Sequence, residues 1–132
     1  MVWLPPPGGR RSDSEVGHFQ VGIEVGDRAG ARFVPLKALV DTGATYTWIP
    51  SDILEGLGLR PDENQTFELA DGRRVQYPLA WTQVRMGTRT QPTIVVFGDP
   101  GSEPILGVVT IEEFGLGVDP VQHRLVSVPA RL

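Results

Sequence analysis

Ala38-Leu39-Val40-Asp41-Thr42-Gly43-Ala44-Thr45 puts a single carboxylate at the end of an apolar run. Phe33 to Val40, which leads into it, has the length and composition of a buried strand. A charge placed there must be satisfied or neutralised, because burying it unpaired is costly. Thr42 supplies a hydroxyl, while Gly43 lets the backbone turn sharply and lets another backbone come near. An aspartate in a strand-end turn is also a structural device, since its side chain can bond the amide two residues on. The triplet alone leaves both roles open.

On the N-terminal side of this run, Phe19, Val21, Ile23 and Val25 alternate with His18, Gln20, Gly22 and Glu24, the period of a half-buried strand. Gly26-Asp27-Arg28-Ala29-Gly30 reads as the turn that pairs it with Phe33–Val40. On the other side, Tyr46-Thr47-Trp48-Ile49 is a short strand ended by Pro50, and Asp52 with Glu55 predicts a capped helix closed by Gly56 and Gly58. Thr66–Ala70 and Arg73–Tyr77 flank Asp71-Gly72, a hairpin signal. Leu79–Met86 and Pro92–Phe97 read as further strands around Gly87-Thr88. Thr110 with Glu113 predicts a second capped helix stopped by Gly115, and Gly117–Asp119 with Arg124–Val128 a last hairpin. About eight strands and two short helices make the fold class all-β.

Length and composition agree. The chain has 132 residues, enough for one domain with a real core, and 40% of them are hydrophobic. Its 16 glycines and 12 prolines exceed the ordinary share and disfavour long helices. Residues 1–15, with Pro5-Pro6-Pro7-Gly8-Gly9, read as a flexible tail carrying Trp3 and Leu4, and residues 16–132 as the folded domain. A net charge of −4 argues against nucleic acid as a partner. No apolar run is long enough to span a membrane, and the N-terminal residues lack the apolar segment of a secretory signal, so a cytoplasmic location is the expectation. The absence of cysteine excludes disulfides, thiolate-bound zinc and thiol nucleophiles. No cofactor motif is present.

Other candidate chemistry fades on inspection. His18 and His123 fall on different predicted strands without ligand spacing and read as exposed strand residues, so no metal site is expected. No Gly-x-Ser-x-Gly elbow or phosphate loop appears. Glu112-Glu113 reads as a helix cap beside a solvated neighbour, and Arg73-Arg74 as solvated turn cations. Asn64-Gln65-Thr66 fits a glycosylation sequon with no secretory signal to support it.

Asp41 gains weight from its order in the chain. Leu39-Val40-Asp41-Thr42-Gly43-Ala44, then a hairpin at Phe67–Tyr77, then Ile105-Leu106-Gly107 and Ile111–Asp119 resemble the retropepsin-like aspartic proteases over about Val16 to Val128. The resemblance implies a retropepsin-like acid protease barrel with a short helix after Ile105-Leu106-Gly107. It implies Asp41 as the catalytic residue, Thr42 and Gly43 as its support, and no cofactor. Gly43, Ala44, Ile105 and the flap tip Ala70-Asp71-Gly72 would meet a peptide or protein substrate. The tip departs from the family in being charged, with Arg73 and Arg74 following Asp71.

Peptide hydrolysis without metal, thiol or activated serine needs a water made nucleophilic and a carbonyl made electrophilic, and two carboxylates sharing one proton can do both, because like charges about 3 Å apart cannot both ionise. This chain holds one Asp-Thr-Gly, so the pair can form only across a two-fold axis, from Asp41 of each of two subunits. A homodimeric aspartic peptidase is the expectation. In the family, terminal strands interleave at the dimer contact, and Val2-Trp3-Leu4 and Leu125–Leu132 are the candidates here. The alternatives are a silent module of the same fold that only dimerises or binds peptides, and an unrelated β-barrel with an accidental triplet.

Overall fold

The computed structural model describes residues 18–129. The expected N-terminal tail, Trp3 and Leu4 included, lies outside the described residues, as do Ala130–Leu132 of the C-terminal candidate strand. The chain runs β1 (Gln20–Gly26), β2 (Phe33–Val40), β3 (Thr47–Pro50), α1 (Ser51–Gly56), β4 (Glu63–Glu68), β5 (Arg74–Met86), β6 (Arg89–Gly98), β7 (Ile105–Leu106), α2 (Val108–Glu113), β8 (Leu116–Asp119) and β9 (Arg124–Ser127). Seven strands form one sheet in the order β1-β2-β7-β3-β6-β5-β4. A further pairing of β1 with β5 brings the sheet back on itself, and β8 and β9 form a separate hairpin.

Alternation decides the main core. Ile23 and Val25 of β1, Ala38 and Val40 of β2, Val84 of β5 and Val95 of β6 all turn inward and are buried. Leu54, Ile111 and Phe114 from the helical segments fill the same core. A second cluster gathers Leu39, Ala44, Trp48, Phe67, Val96 and Ile105, with Tyr46, Val75 and Tyr77 packed against it. This smaller cluster lies under the β4–β5 hairpin and against the Asp41 loop.

Three elements differ from the sequence expectation. β5 continues through Pro78, where the sequence pattern breaks the run at Tyr77. Pro78 sits one residue before the β6 ladder begins at Leu79↔Val96, so its missing N–H removes nothing from that ladder. α1 begins at Ser51 after Pro50 with no side-chain cap, which places Asp52 in the first turn, where its charge suits the helix N-terminus. Its end is as expected: Gly58 adopts φ +78°, its N–H bonds the carbonyl of Glu55, and the Leu59 N–H bonds that of Leu54.

The third difference is α2, which starts after Gly107 and not at Thr110. Thr110 is wholly buried inside the helix, so it caps nothing, and Glu113 is not the far side of a capping box. Tertiary hydroxyl partners have overridden the local signal. Gly115, at φ +68°, closes the helix where the sequence places the stop.

Candidate active site

Asp41 sits at the end of β2 and is 3% exposed. Its own loop holds it. The Gly43 N–H donates to Asp41 Oδ1 at 2.9 Å, and the Ala44 N–H donates to the Asp41 carbonyl at 3.1 Å. The Asp41 N–H donates to the carbonyl of Leu106 at 3.1 Å, so β7 fixes the strand end. Thr42 and Gly43 are exposed beside the buried carboxylate, whereas Ala44 is buried.

The start of α2 braces this loop. Val108 and Val109 donate N–H bonds to the carbonyls of Ala44 and Thr45, at 2.9 and 3.0 Å. Two N–H groups that the helix cannot satisfy internally are thus spent on the loop, which fixes helix and loop together. Gly107 is packed so closely that a Cβ there would stand 2.3 Å from the Tyr46 carbonyl oxygen. Its N–H donates to Thr47 Oγ1 at 3.1 Å.

From Thr47 a buried chain of hydroxyls runs on. Thr47 and Thr110 are 2.7 Å apart, Thr110 and Thr93 2.8 Å, and Thr93 donates to Glu113 Oε1. One set of hydrogen positions satisfies every member in sequence, from the Gly107 N–H to the Glu113 carboxylate, and such chains reinforce each link. The chain ties β3, β6 and α2 together behind the Asp41 loop. Thr110→Val keeps the shape but strands two buried hydroxyl neighbours, and is expected to lower the unfolding free energy in urea by about 1–3 kcal/mol. An unchanged urea midpoint would show that the chain holds nothing.

The remaining sequence candidates divide. Ile105 pairs with Leu39 beside the Asp41 loop but is 1% exposed, packed with Leu39, Trp48 and Phe67. Ala70, Asp71 and Gly72 are exposed at the tip of the β4–β5 hairpin. There the Leu69 N–H donates to the Arg73 carbonyl at 2.7 Å, and Gly72 takes φ +86°. The Arg73 N–H and then its guanidinium bond the Asp71 carboxylate and hold it below the usual carboxylate range. Charge at the tip is therefore partly cancelled within the tip.

Lower in that hairpin, Tyr77 meets Trp48 edge-on, with centroids 4.8 Å apart, and Phe67 lies against both rings. Burial, and then the charge of Asp99, push the Tyr77 phenol above its usual value. Trp48 Nε1 is buried without a hydrogen-bond acceptor among the described residues.

His18 is a correction. In place of an exposed strand position it lies beside the carboxylate, with Nε2 3.8 Å from Asp41 Oδ1 and its side chain 22% exposed. Hairpin register carries the signal that sequence reading passed over. Counting back from Gly26↔Phe33 through Gln20↔Leu39 sets His18 opposite Asp41. His123 lies in the β8–β9 turn at φ 53°, stacked on Phe19, and is not on a strand. No cluster of metal-ligating side chains occurs among the described residues.

A family model described as aspartyl protease matches residues 21–110. Among solved structures, the chain is similar to the simian foamy virus (mac) protease, with 21% identity and a TM-score of 0.53 over 71% of this chain and 92% of that one. It is also similar to a retropepsin-like aspartic protease from Rickettsia conorii, with 23% identity and a TM-score of 0.52 over 80% of this chain and 86% of that one. At these identities the two structures speak to the fold alone. No curated protein matches the sequence.

Proposed function

The chain belongs to the aspartyl protease family and has its retropepsin-like all-β fold, and from that premise we propose that it is a homodimeric aspartic endopeptidase. Two Asp41 carboxylates, one from each subunit, share one proton across the two-fold axis. The observation that carries the reading is the setting of Asp41. A single Asp-Thr-Gly aspartate is buried at a strand end, in a loop pinned by its own carboxylate, by β7 and by the start of α2. Positioning of this kind is what a reacting carboxylate needs.

The reaction follows from the shared proton. The ionised carboxylate takes a proton from a water held between the pair, and the water oxygen bonds to the carbonyl carbon of the scissile peptide. The protonated carboxylate gives its proton to the carbonyl oxygen, which yields a gem-diol. Transfer of a proton to the nitrogen then lets the C–N bond break, releasing an acid and an amine. Thr42, exposed next to Asp41, braces the pair against the partner's loop, and the exposed Gly43 backbone meets the extended substrate, with Ala44, buried and with both backbone groups already bonded, behind it. The hairpin tip at Ala70-Asp71-Gly72 closes over it and excludes water, with Ile105 below the substrate side chains.

Light scattering on the purified protein is expected to give about twice 14.4 kDa. A monomer at high micromolar concentration would remove the second carboxylate and the mechanism with it. A pair that holds one proton works on the acid side of neutrality, so cleavage is expected to fall as pH rises. A stable dimer that cleaves no peptide at any pH would instead leave the silent module.

A further inference from the structure

We propose that the edge of β1 at Gln20–Gly22, which no described strand pairs, is a docking site for an extended acidic peptide segment, apart from the Asp41 cleft and independent of the protease reading. Backbone register defines the edge. The Val40 N–H bonds the Phe19 carbonyl at 2.8 Å, and β1 pairs β2 residue by residue from Gln20↔Leu39 to Gly26↔Phe33. Bonded pairs alternate along an antiparallel ladder, so Val21 and Ile23 turn their peptide groups toward β2. Gln20, Gly22 and Glu24 turn theirs away.

On that far side Glu24 pairs with Arg85 of β5, and Val25 with Val84. One more bonded step would set Gly22 opposite Gly87. By then β5 has already turned, since Gly87 sits at φ +61° in the tight link from Met86 to Arg89 of β6. The ladder therefore stops short, and no described strand pairs with Gly22 on this side. A groove of about 450 Å³ opens at the gap, lined by Gly22, Ile23, Leu36, Lys37, Arg85 and Gly87 among others. A Cβ at Gly22 would meet nothing within 4 Å, so another backbone has room to approach.

Charge selects the occupant. Arg85 makes two bonds to Glu24, at 2.9 and 3.1 Å, and lies over the Phe33 ring, so these two charges cancel. Lys37, the single lysine of the chain, stands across the ladder from Gly22, exposed and without an ion-pair partner among the described residues. Among the described residues that line it, the groove thus carries one positive charge without an ion-pair partner, while at the Gln20 end the side-chain amide donates to Glu103 Oε2 at 3.2 Å. An added strand supplies main-chain bonds to Gln20 and Gly22, an acidic side chain meets Lys37, and an apolar neighbour covers Leu36.

The test titrates ¹⁵N-labelled full-length protein with the peptide acetyl-Val-Glu-Val-Glu-Val-amide and with the version carrying Lys for Glu. Expected are amide shifts at Gln20–Gly22 and Lys37, with the acidic peptide bound at least tenfold more tightly. Lys37→Glu, an exposed change whose folding the same spectra report, is expected to reverse that preference. Equal binding of both peptides, shifts confined to the Asp41 loop, or no shifts at millimolar peptide would overturn the proposal. Shifts at this edge that follow protein concentration alone would overturn it too, by assigning the edge to a second copy of the chain. None of these readouts depends on peptide cleavage, so failure here and failure of the protease reading are separately visible.

Discussion

Asp41→Asn is expected to lower peptide cleavage by about a thousandfold or more in kcat while the protein stays folded and keeps its dimer mass. The substitution is nearly isosteric. Its amide oxygen still accepts the Gly43 N–H that now bonds Asp41 Oδ1 at 2.9 Å, so the loop keeps its anchor. What disappears is the chemistry, because an amide neither takes a proton from water nor holds one to give. Both subunits of a homodimer carry the change, so no intact half remains. The urea midpoint separates lost chemistry from lost folding, since the variant keeps the Gly43 bond while giving up the charge that faces His18 Nε2 at 3.8 Å. Initial rates on a mixed fluorogenic peptide library at acid pH, parent against variant, decide the matter. Equal rates would mean that the cleaving group lies elsewhere and that the Asp41 pair is not the catalyst.

How well the sequence announces this molecule depends on whether a feature is local. Strand alternation in β1, the glycine at α2's end and the Asp-Gly turn at residues 71–72 were legible because each is set by neighbours in the chain. The misread parts involve partners far away in sequence. Thr110 with Glu113 has the spacing of a capping box, yet Thr110 bonds Thr47 and Thr93, residues 63 and 17 positions away. Pro78 reads as a strand end, and only the position of the β6 ladder shows why the strand passes through it.

His18 shows a different failure. Its contact with Asp41 follows from the hairpin register, which residue type and spacing along the chain do not express. The orphaned Trp48 Nε1 has no sequence signal at all, since burial of an indole N–H depends on which rings close over it.

Gly107 offers the sharpest test of how the Asp41 loop is held. Its backbone, at φ −92° and ψ 169°, is ordinary extended conformation, so alanine there costs no dihedral strain. Space is the only obstacle. A built Cβ lies 2.3 and 2.4 Å from the carbonyl oxygen and carbon of Tyr46 and 3.0 Å from the Ala44 oxygen, and backbone cannot swing aside as a side chain does. Relief requires α2 to back away from the loop. That movement lengthens the Val108 and Val109 bonds to Ala44 and Thr45 and the Gly107 bond to Thr47 together. Gly107→Ala is therefore expected to cost about 3 kcal/mol or more in urea unfolding, and to depress kcat/KM in whatever fraction stays folded, since the loop that aims Asp41 loses its brace. Gly56→Ala is the control, because a Cβ there meets nothing within 4 Å at the end of α1, and it is expected to be neutral or stabilising by up to about 1 kcal/mol. If the two variants unfold at the same midpoint, the close approach of Gly107 to Tyr46 does not exist in solution. The rigid seat assigned to Asp41 would then have to come from its partner subunit.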